Sequence, residues 1–362
     1  MSKNVLLIGG GHAHLSLLKN MKENKLPDCE VTLLNPTSTY YYSGMFSGYV
    51  EGIYSLEELE IDLEELCQRS GVQFFKGTAM SVDAKQKMVL TEKGDILSFD
   101  VLSFDIGTRR KGIAELPDSD RIFHLNRKEQ IKALGKDSSK RGEVVIVGGG
   151  AAGIELSFSI KAWKKKHSDD GHVRLISASP IYGESKESSC QKQLKEKLLQ
   201  AGVELHENER ISDVRDGKVT VGEETFRYDS LLWMTGSEAP KLYKSSKLPI
   251  DEEGYLLVED TLQVKEYPFI FGSGNGVTVR EYPDIPRNGV MAVRQGEVLW
   301  DNLSGFLGSG EGYHFKPQKR YLTILSTGAR HGYLRYGGLC TSGKLAWKLK
   351  NKIDQKFMST FK

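Results

Sequence analysis

The chain has 362 residues, 39% hydrophobic and 27% charged, and 50 Lys and Arg against 48 Asp and Glu give a formal net charge of +2. This length predicts two or three domains, and so small a net charge argues against a nucleic-acid-binding surface. The four cysteines, Cys29, Cys67, Cys190 and Cys340, lie far apart without metal-type spacing. We therefore expect neither structural disulfides nor a metal site.

Residues 4–18 predict a strand that runs through glycines into a helix. Val5 to Ile8 are apolar, Gly9 to Gly11 allow a sharp turn, and a helix is expected from His12 to Asn20. Such an arrangement brings backbone N–H groups and a helix N-terminus close to a pyrophosphate. Residues 143–156 repeat it with a complete Gly148-x-Gly150-x-x-Gly153 loop, and the pair predicts two dinucleotide sites.

Both predicted sites differ from the usual fingerprint. In the first loop His14 stands where the third glycine is expected, and Asn35 stands where an acid would bind ribose hydroxyls. The second loop is complete, but the strand after it ends in Ser-Ala-Ser at 177–179 without an acid or an adjacent arginine. The sequence therefore leaves the choice between NADH and NADPH open.

The remaining pattern is an alternation of strands and helices. Residues 37–54 are turn-rich and aromatic, and residues 56–70 are predicted as one acidic amphipathic helix. Further strands are expected at 73–75, 87–90, 101–106, 173–176, 203–205, 218–221, 231–234, 268–272, 321–325 and 333–336, and helices at 128–134, 191–200 and 288–303.

The C-terminal residues 344–361 predict an amphipathic helix. One stripe contains Lys344, Lys348, Lys352 and Lys356, and a second contains Leu345, Leu349, Ile353, Phe357 and Phe361. This pattern suits a helix in a membrane interface, and equally one docked on the protein or on a second copy of the chain. No apolar run approaches the roughly 20 residues that span a bilayer. We expect no secretory signal and a cytoplasmic protein, peripheral to the inner face of the cell membrane if this helix binds lipid.

Taken together, the two glycine loops and the turns at 105–108 and 271–275 resemble the two-dinucleotide-domain flavoproteins of the pyridine nucleotide–disulfide oxidoreductase superfamily. Within it the chain is most similar to the type II NADH dehydrogenase and sulfide:quinone reductase branch. It is closer still to the flavin domain fused to selenide, water dikinase, on the segments 9–14 (GGGHAH), 42–45, 61–63, 292–296 (AVRQG) and 316–322. The resemblance implies an α/β fold of two Rossmann-like domains, the second inserted in the first. The implied divisions are 1–110 and 239–320 for FAD, 111–238 for NAD(P)H, and 321–362 as a C-terminal segment.

The resemblance also implies the cofactor-binding residues. Those for FAD are Gly9, Gly11, His12, His14, Asn35, Tyr42, Ser43, Gly107, Thr108, Gly274, Asn275, Arg294 and Gln295. Those for NAD(P)H are Gly148, Gly150 and Gly153, with Glu155 beside them. Other interpretations stay open, because the two histidines and the tyrosines at 40–42 also suit packing, and Arg294 also suits a surface ion pair.

The predicted chemistry is hydride transfer from a nicotinamide to a flavin, followed by electron transfer to a quinone-like or other small acceptor. A dithiol relay is excluded because residues 37–54 contain no cysteine, and we do not expect Cys190 to pair with Cys340 at a flavin face. Glu155 and Gln295 are the catalytic candidates, although Glu155 also suits a helix N-terminus on electrostatic grounds alone. A flavoprotein of sulfur or selenium metabolism and a non-catalytic nucleotide-binding module remain as alternatives.

Overall fold

The computed structural model describes residues 2–125, 128–183, 188–308 and 310–362. In chain order the strands are β1 Lys3–Ile8, β2 Cys29–Asn35, β3 Thr39–Tyr41, β4 Glu60–Asp62, β5 Gln73–Lys76, β6 Ala79–Asp83, β7 Met88–Thr91, β8 Ile96–Ser98, β9 Val101–Phe104, β10 Arg109–Arg110, β11 Ile122–Phe123, β12 Val144–Val147, β13 Val173–Ser177, β14 Glu204–Glu207, β15 Ile211–Arg215, β16 Lys218–Val221, β17 Glu224–Arg227, β18 Ser230–Trp233, β19 Ser237–Glu238, β20 Leu256–Val258, β21 Gln263–Val264, β22 Tyr267–Gly272, β23 Val277–Val279, β24 Leu322–Ser326, β25 Gly332–Tyr336 and β26 Leu339–Gly343. The α-helices are α1 His12–Glu23, α2 Phe46–Glu51, α3 Leu56–Leu59, α4 Leu63–Arg69, α5 Lys128–Gly135, α6 Ala151–Lys166, α7 Ser189–Gln200, α8 Lys241–Ser245, α9 Gly289–Leu307 and α10 Lys344–Phe361.

The first sheet has the strand order β21-β22-β9-β1-β2-β5. Its central strands are parallel: β1 pairs with β2 and β9, and β9 pairs with β22. Val5 to Ile8 of β1 are all buried, and α1 and α9 pack against each other beside the sheet. The chain leaves the carboxyl end of β1 at the first glycine turn, which is the edge where doubly wound sheets bind ligands.

The second sheet has the order β11-β18-β12-β13-β14, with all neighbours parallel. Its glycine turn connects β12 to α6 in the same way as the first. Because β21 and β22 follow this sheet in the chain but complete the first sheet, the second Rossmann-like unit is inserted in the first. The predicted α/β fold class is therefore confirmed, whereas the exact domain boundaries stay predictions.

The C-terminal segment forms a three-stranded antiparallel sheet, β24-β25-β26, followed directly by α10. Helix α10 contacts this sheet and also α1, and β24 contacts α6 of the second unit. The segment thus joins the two dinucleotide-binding units. No helix in the described part of the chain is both long and apolar enough to cross a bilayer.

The prediction of one helix over residues 56–70 was wrong. Two short helices, α3 and α4, are separated by β4, which pairs antiparallel with β3. Ile61 in β4 is buried, and the Asp62 carboxylate accepts the Glu65 N–H to start α4. Strand pairing with the aromatic segment therefore outweighs the local helical pattern, a tertiary contact that periodicity does not reveal.

Candidate cofactor and active site

A groove of about 1130 Å³ runs along the carboxyl edge of the first sheet. It is larger than the roughly 300–1,000 Å³ of ordinary small-molecule sites, as an extended dinucleotide requires. The predicted cofactor residues that line it are Gly9, Gly11, His12, Asn35, Ser43, Gly107 and Asn275. Those that lie outside its lining are His14, Tyr42, Thr108, Gly274, Arg294 and Gln295.

Asn35 is fixed at one wall of this groove by two hydrogen bonds. Its Oδ1 accepts the Gly10 N–H at 2.9 Å, and its Nδ2 donates to the Thr37 carbonyl at 2.7 Å. Gly9 has a φ of +92°, and a β-carbon there would overlap the backbone of Asp105. The first loop is therefore held rigidly even though Asn35 replaces the usual acid.

His14 packs inside the protein rather than at the groove. Its Nδ1 lies 2.5 Å from the Gly9 carbonyl oxygen and its Nε2 lies 2.8 Å from the Ser103 hydroxyl. Burial lowers the pKa of the imidazole, so the ring is neutral near pH 7. His14 therefore braces the turn from the position where the usual fingerprint has its third glycine.

Asp105 is a site residue that the sequence analysis missed. Its side chain is buried, and Oδ2 accepts the N–H groups of Ala13 at 2.7 Å and His14 at 3.0 Å. A β-carbon at Gly11 or Gly274 would overlap this carboxylate, so both glycines leave room for it. An acid directly after a buried strand, at the same edge as the glycine loop, was the available signal.

Gln295 orients a turn rather than facing the groove. Its buried Oε1 accepts the Gly274 N–H at 2.7 Å, which positions the turn that carries Asn275. Arg294 is half-buried, and we find no ion pair or hydrogen bond for its guanidinium among the described residues. The geometry therefore ties Gln295 to this turn, and its catalytic role stays a prediction.

The second glycine loop has the close packing that its complete fingerprint predicts. Gly148 has a φ of +119°, and a β-carbon at Gly153 would overlap the Gly148 carbonyl oxygen. Gly150 has no atom near its β-position. No side chain in the described ranges accepts a hydrogen bond from the first turn of α6, in contrast to α1, where Asp105 does so. The start of α6 is therefore open to an anionic group.

Glu155, one turn into α6, belongs to a buried charged cluster that we define as Glu155, Lys350 and Asp354. Glu155 accepts the Ser326 N–H at 2.7 Å and lies 3.9 Å from Lys350 Nζ. Lys350 Nζ lies 2.7 Å from Asp354 and donates to the Gly44 carbonyl. The cluster thus connects both dinucleotide-binding units with α10.

Burial governs the ionisation of this cluster. It raises the pKa of both carboxyls, Glu155 and Asp354, although Lys350 partly offsets the effect. Burial alone would lower the pKa of Lys350, but the two carboxylates outweigh it and raise that pKa. Full ionisation would leave a net charge of −1 in a largely buried site, which agrees with the raised pKa of both carboxyls.

The aromatic segment at 40–42 packs in part against the C-terminal helix. Tyr42 stacks on Phe357 with a centroid distance of 4.3 Å, and its hydroxyl donates to Asp354 at 3.0 Å. Tyr40 lines the groove and its hydroxyl contacts the His12 ring. Burial lowers the pKa of His12, which is therefore neutral. The groove wall and the charged cluster are thus adjacent through residues 40–44.

The expectation of four unpaired cysteines was wrong. Cys190 at the start of α7 and Cys340 in β26 form a disulfide with a Cα–Cα distance of 5.7 Å. The sequence separation of 150 residues hides this contact, which arises because the C-terminal sheet packs on the second unit. Neither sulfur lines the groove. The described residues contain no group of three His, Cys, Asp or Glu side chains suited to a metal.

This arrangement, two Rossmann-like sheets each with a glycine loop at its carboxyl edge, defines a two-dinucleotide oxidoreductase. The chain matches the pyridine nucleotide-disulphide oxidoreductase family over residues 3–296, and it belongs to that family. It is a flavoprotein oxidoreductase that uses FAD and NAD(P)H, as predicted.

Individual relatives agree with this family. A type II NADH:quinone oxidoreductase of Staphylococcus saprophyticus is 24% identical over 387 aligned positions, covering 98% of this chain and 94% of that protein. The demethylphylloquinone reductase NdbB of Synechocystis is 24% identical, covering 83% and 80%. Among solved structures, the sulfide:quinone oxidoreductase of Aquifex aeolicus superimposes with a TM-score of 0.83 at 18% identity, covering 99% and 91%. The likeness to the type II NADH dehydrogenase and sulfide:quinone reductase branch is confirmed, and the likeness to the dikinase-fused domain stays a prediction.

Proposed function

We propose that this chain is an NAD(P)H dehydrogenase that passes electrons through FAD to a quinone-like acceptor. The observation that carries the proposal is the open second glycine loop, Gly148 to Gly153. Glu155 in the helix after this loop lies near Lys350, which in turn donates to Gly44 beside the first groove. Relatives named quinone reductases support the choice of acceptor class.

The residues of the chain would bind, orient and supply protons. FAD, when bound, supplies the hydride acceptor and the electron carrier. Gly9, Gly11, Asn35 and Asn275 would hold it along the first groove, and the start of α6 would hold the nicotinamide nucleotide. The charged cluster lies behind residues 43–46, of which Ser43 and Phe46 line the groove. We infer that the cluster holds a proton that reduction of the acceptor consumes, with Glu155 as the donor.

The test is an anaerobic titration of the FAD-loaded protein with NADH and then NADPH, following the visible absorbance of the flavin. We expect rapid bleaching by at least one nucleotide and recovery of colour when a short-chain quinone is added. Gly150→Val fills open space where the nucleotide would approach and should abolish bleaching, whereas Gly338→Val, equally uncrowded but on the β25–β26 hairpin and not in a glycine loop, should not. Bleaching by sulfide or selenide but by neither nucleotide would favour the sulfur and selenium alternative instead.

We further propose that α10 attaches the protein to an anionic membrane surface. Leu345, Leu349 and Ile353 are 80%, 40% and 46% exposed and follow one another at four-residue spacing. The four lysines predicted beside them are exposed as well, while Phe357 and Phe361 pack inward. Apolar side chains next to lysines suit the boundary between anionic headgroups and acyl chains better than a purely apolar protein interface.

Vesicle flotation tests this attachment. The full chain should float with phosphatidylglycerol vesicles and not with phosphatidylcholine vesicles. Leu345→Ser with Ile353→Ser should abolish flotation without affecting the flavin spectrum, since both side chains are exposed and neither lines the groove. If the double variant floats like the wild type, and if the wild type is a dimer that the double substitution dissociates, the surface binds a second copy of the chain.

A further inference from the structure

One oxygen of the Asp105 carboxylate accepts hydrogen bonds from the protein, and the other has no donor among the described residues. Oδ2 accepts two N–H groups of α1, whereas we find no hydrogen bond to Oδ1 among the described residues. The side chain is 3% exposed, and what remains exposed faces the groove, because Asp105 is one of its lining residues. Oδ1 is not one of the fully buried atoms that lack a partner, so it is open to the groove, where a hydroxyl of a bound ligand can donate to it.

The free oxygen lies beside the turn that carries Asn275. A β-carbon at Gly274 would overlap Oδ1, and so would one at Gly11, so Oδ1 lies between this turn and the first glycine loop. Gln295 accepts the Gly274 N–H. The resemblance to the flavoprotein superfamily implies an acid at position 275, facing the ribityl chain, and this chain has the uncharged Asn275 there. Asp105 therefore supplies a carboxylate next to the place where that acid is missing.

The strand order indicates which half of the dinucleotide meets Asp105. Asn35 ends β2 on one side of β1, and Asp105 follows β9 on the other side, next to β22. A residue at the end of the second strand contacts the adenosine ribose in this fold, so the flavin half of a bound FAD would extend toward β9 and β22. A phosphate would be repelled by a carboxylate, whereas a hydroxyl donates to it.

We propose that Asp105 binds a ribityl hydroxyl of FAD and takes the place of the acid absent at position 275. The proposal requires FAD in the first groove but no nicotinamide or acceptor chemistry, so it can fail without affecting the proposed dehydrogenase activity. Asp105 would position the cofactor and does not take part in hydride transfer.

The experiment measures the dissociation constant of FAD from the reconstituted full-length protein by quenching of flavin fluorescence. A hydrogen bond to a charged group predicts roughly 10- to 100-fold weaker binding in Asp105→Asn. Asp100→Asn is the matched control. Asp100 accepts the backbone N–H of Asn4, much as Asp105 accepts two from α1, but it lies outside the groove lining. Its dissociation constant should stay within twofold of that of the wild type.

FAD analogues lacking single hydroxyls provide a second measurement, whose main comparison is made on the wild type and so does not depend on folding of the variant. The wild type should bind one ribityl-deoxy analogue at least tenfold more weakly than FAD, and Asp105→Asn should lose that discrimination. Equal affinity of the wild type for FAD and every ribityl-deoxy analogue would overturn the proposal. Tighter FAD binding by Asp105→Asn would also overturn the proposal, because it would indicate that Asp105 repels the pyrophosphate. Weaker binding of only those analogues that lack an adenosine hydroxyl would overturn it as well.

Discussion

Replacing Lys350 with methionine tests whether the charged cluster holds the C-terminal helix in place. The Lys350 side chain is only 12% exposed, and its ammonium is the cation that lies between Glu155 and Asp354. Methionine keeps most of the apolar stem but leaves two buried carboxyls without a countercharge. Removing one partner of a buried ion pair costs about 3–5 kcal/mol, and we expect Lys350→Met to lower the free energy of unfolding by about that amount at pH 8.

The sign of the pH dependence follows from the raised pKa values of the two carboxyls. A carboxyl whose pKa is higher in the folded state than in the unfolded state stabilises the fold at low pH and loses that contribution as pH rises. Without Lys350 these pKa values rise further. The difference in stability between the wild type and Lys350→Met should therefore be largest at pH 8 and become smaller toward pH 5.

Urea unfolding at several pH values, followed by tryptophan fluorescence, measures this difference. Lys348→Met is the matched control, since Lys348 lies on the same helix but is exposed, and it should change stability by less than about 0.5 kcal/mol. A Lys350→Met variant as stable as Lys348→Met at every pH would refute the ion-pair argument.

Two further predictions concern the second unit. Gly153→Ala places a β-carbon against the Gly148 carbonyl oxygen and should destabilise the protein by about 1–3 kcal/mol, whereas Gly150→Ala, with nothing near its β-position, should leave the melting temperature unchanged. Cys190→Ser removes the disulfide that ties α7 to β26 and should cost about 2–4 kcal/mol in thermal unfolding without reductant. In excess reductant the melting temperature of the wild type should fall to that of Cys190→Ser. Cys29→Ser should have the melting temperature of the wild type under both conditions. A wild-type melting temperature that does not change with reductant would contradict a stabilising disulfide.

The order of apolar and polar residues along the chain was sufficient to predict those elements whose structure depends on residues close in sequence. The two strand–glycine–helix units and the C-terminal helix from Lys344 to Phe361 follow from apolar runs, glycines and helical periodicity. The strand Glu60–Asp62 and the disulfide between Cys190 and Cys340 depend on partners 19 to 150 residues away. No periodicity or spacing carries that information, so both were predicted incorrectly.

The same distinction explains the candidate site. The close packing of Gly148 to Gly153 could be predicted from sequence because it depends on backbone shape, which a short motif encodes. Glu155 was found by position, but its ionisation depends on Lys350 and Asp354, nearly two hundred residues later in the chain. Lys350 lies outside the lysine stripe of α10, on the opposite side of the helix from Lys348 and Lys352, and its side chain turns inward. A glutamate that looks like an ordinary helix-terminal residue thus gains charged partners from the C-terminal helix, so α10 contributes to the proposed active site as well as to the proposed membrane attachment.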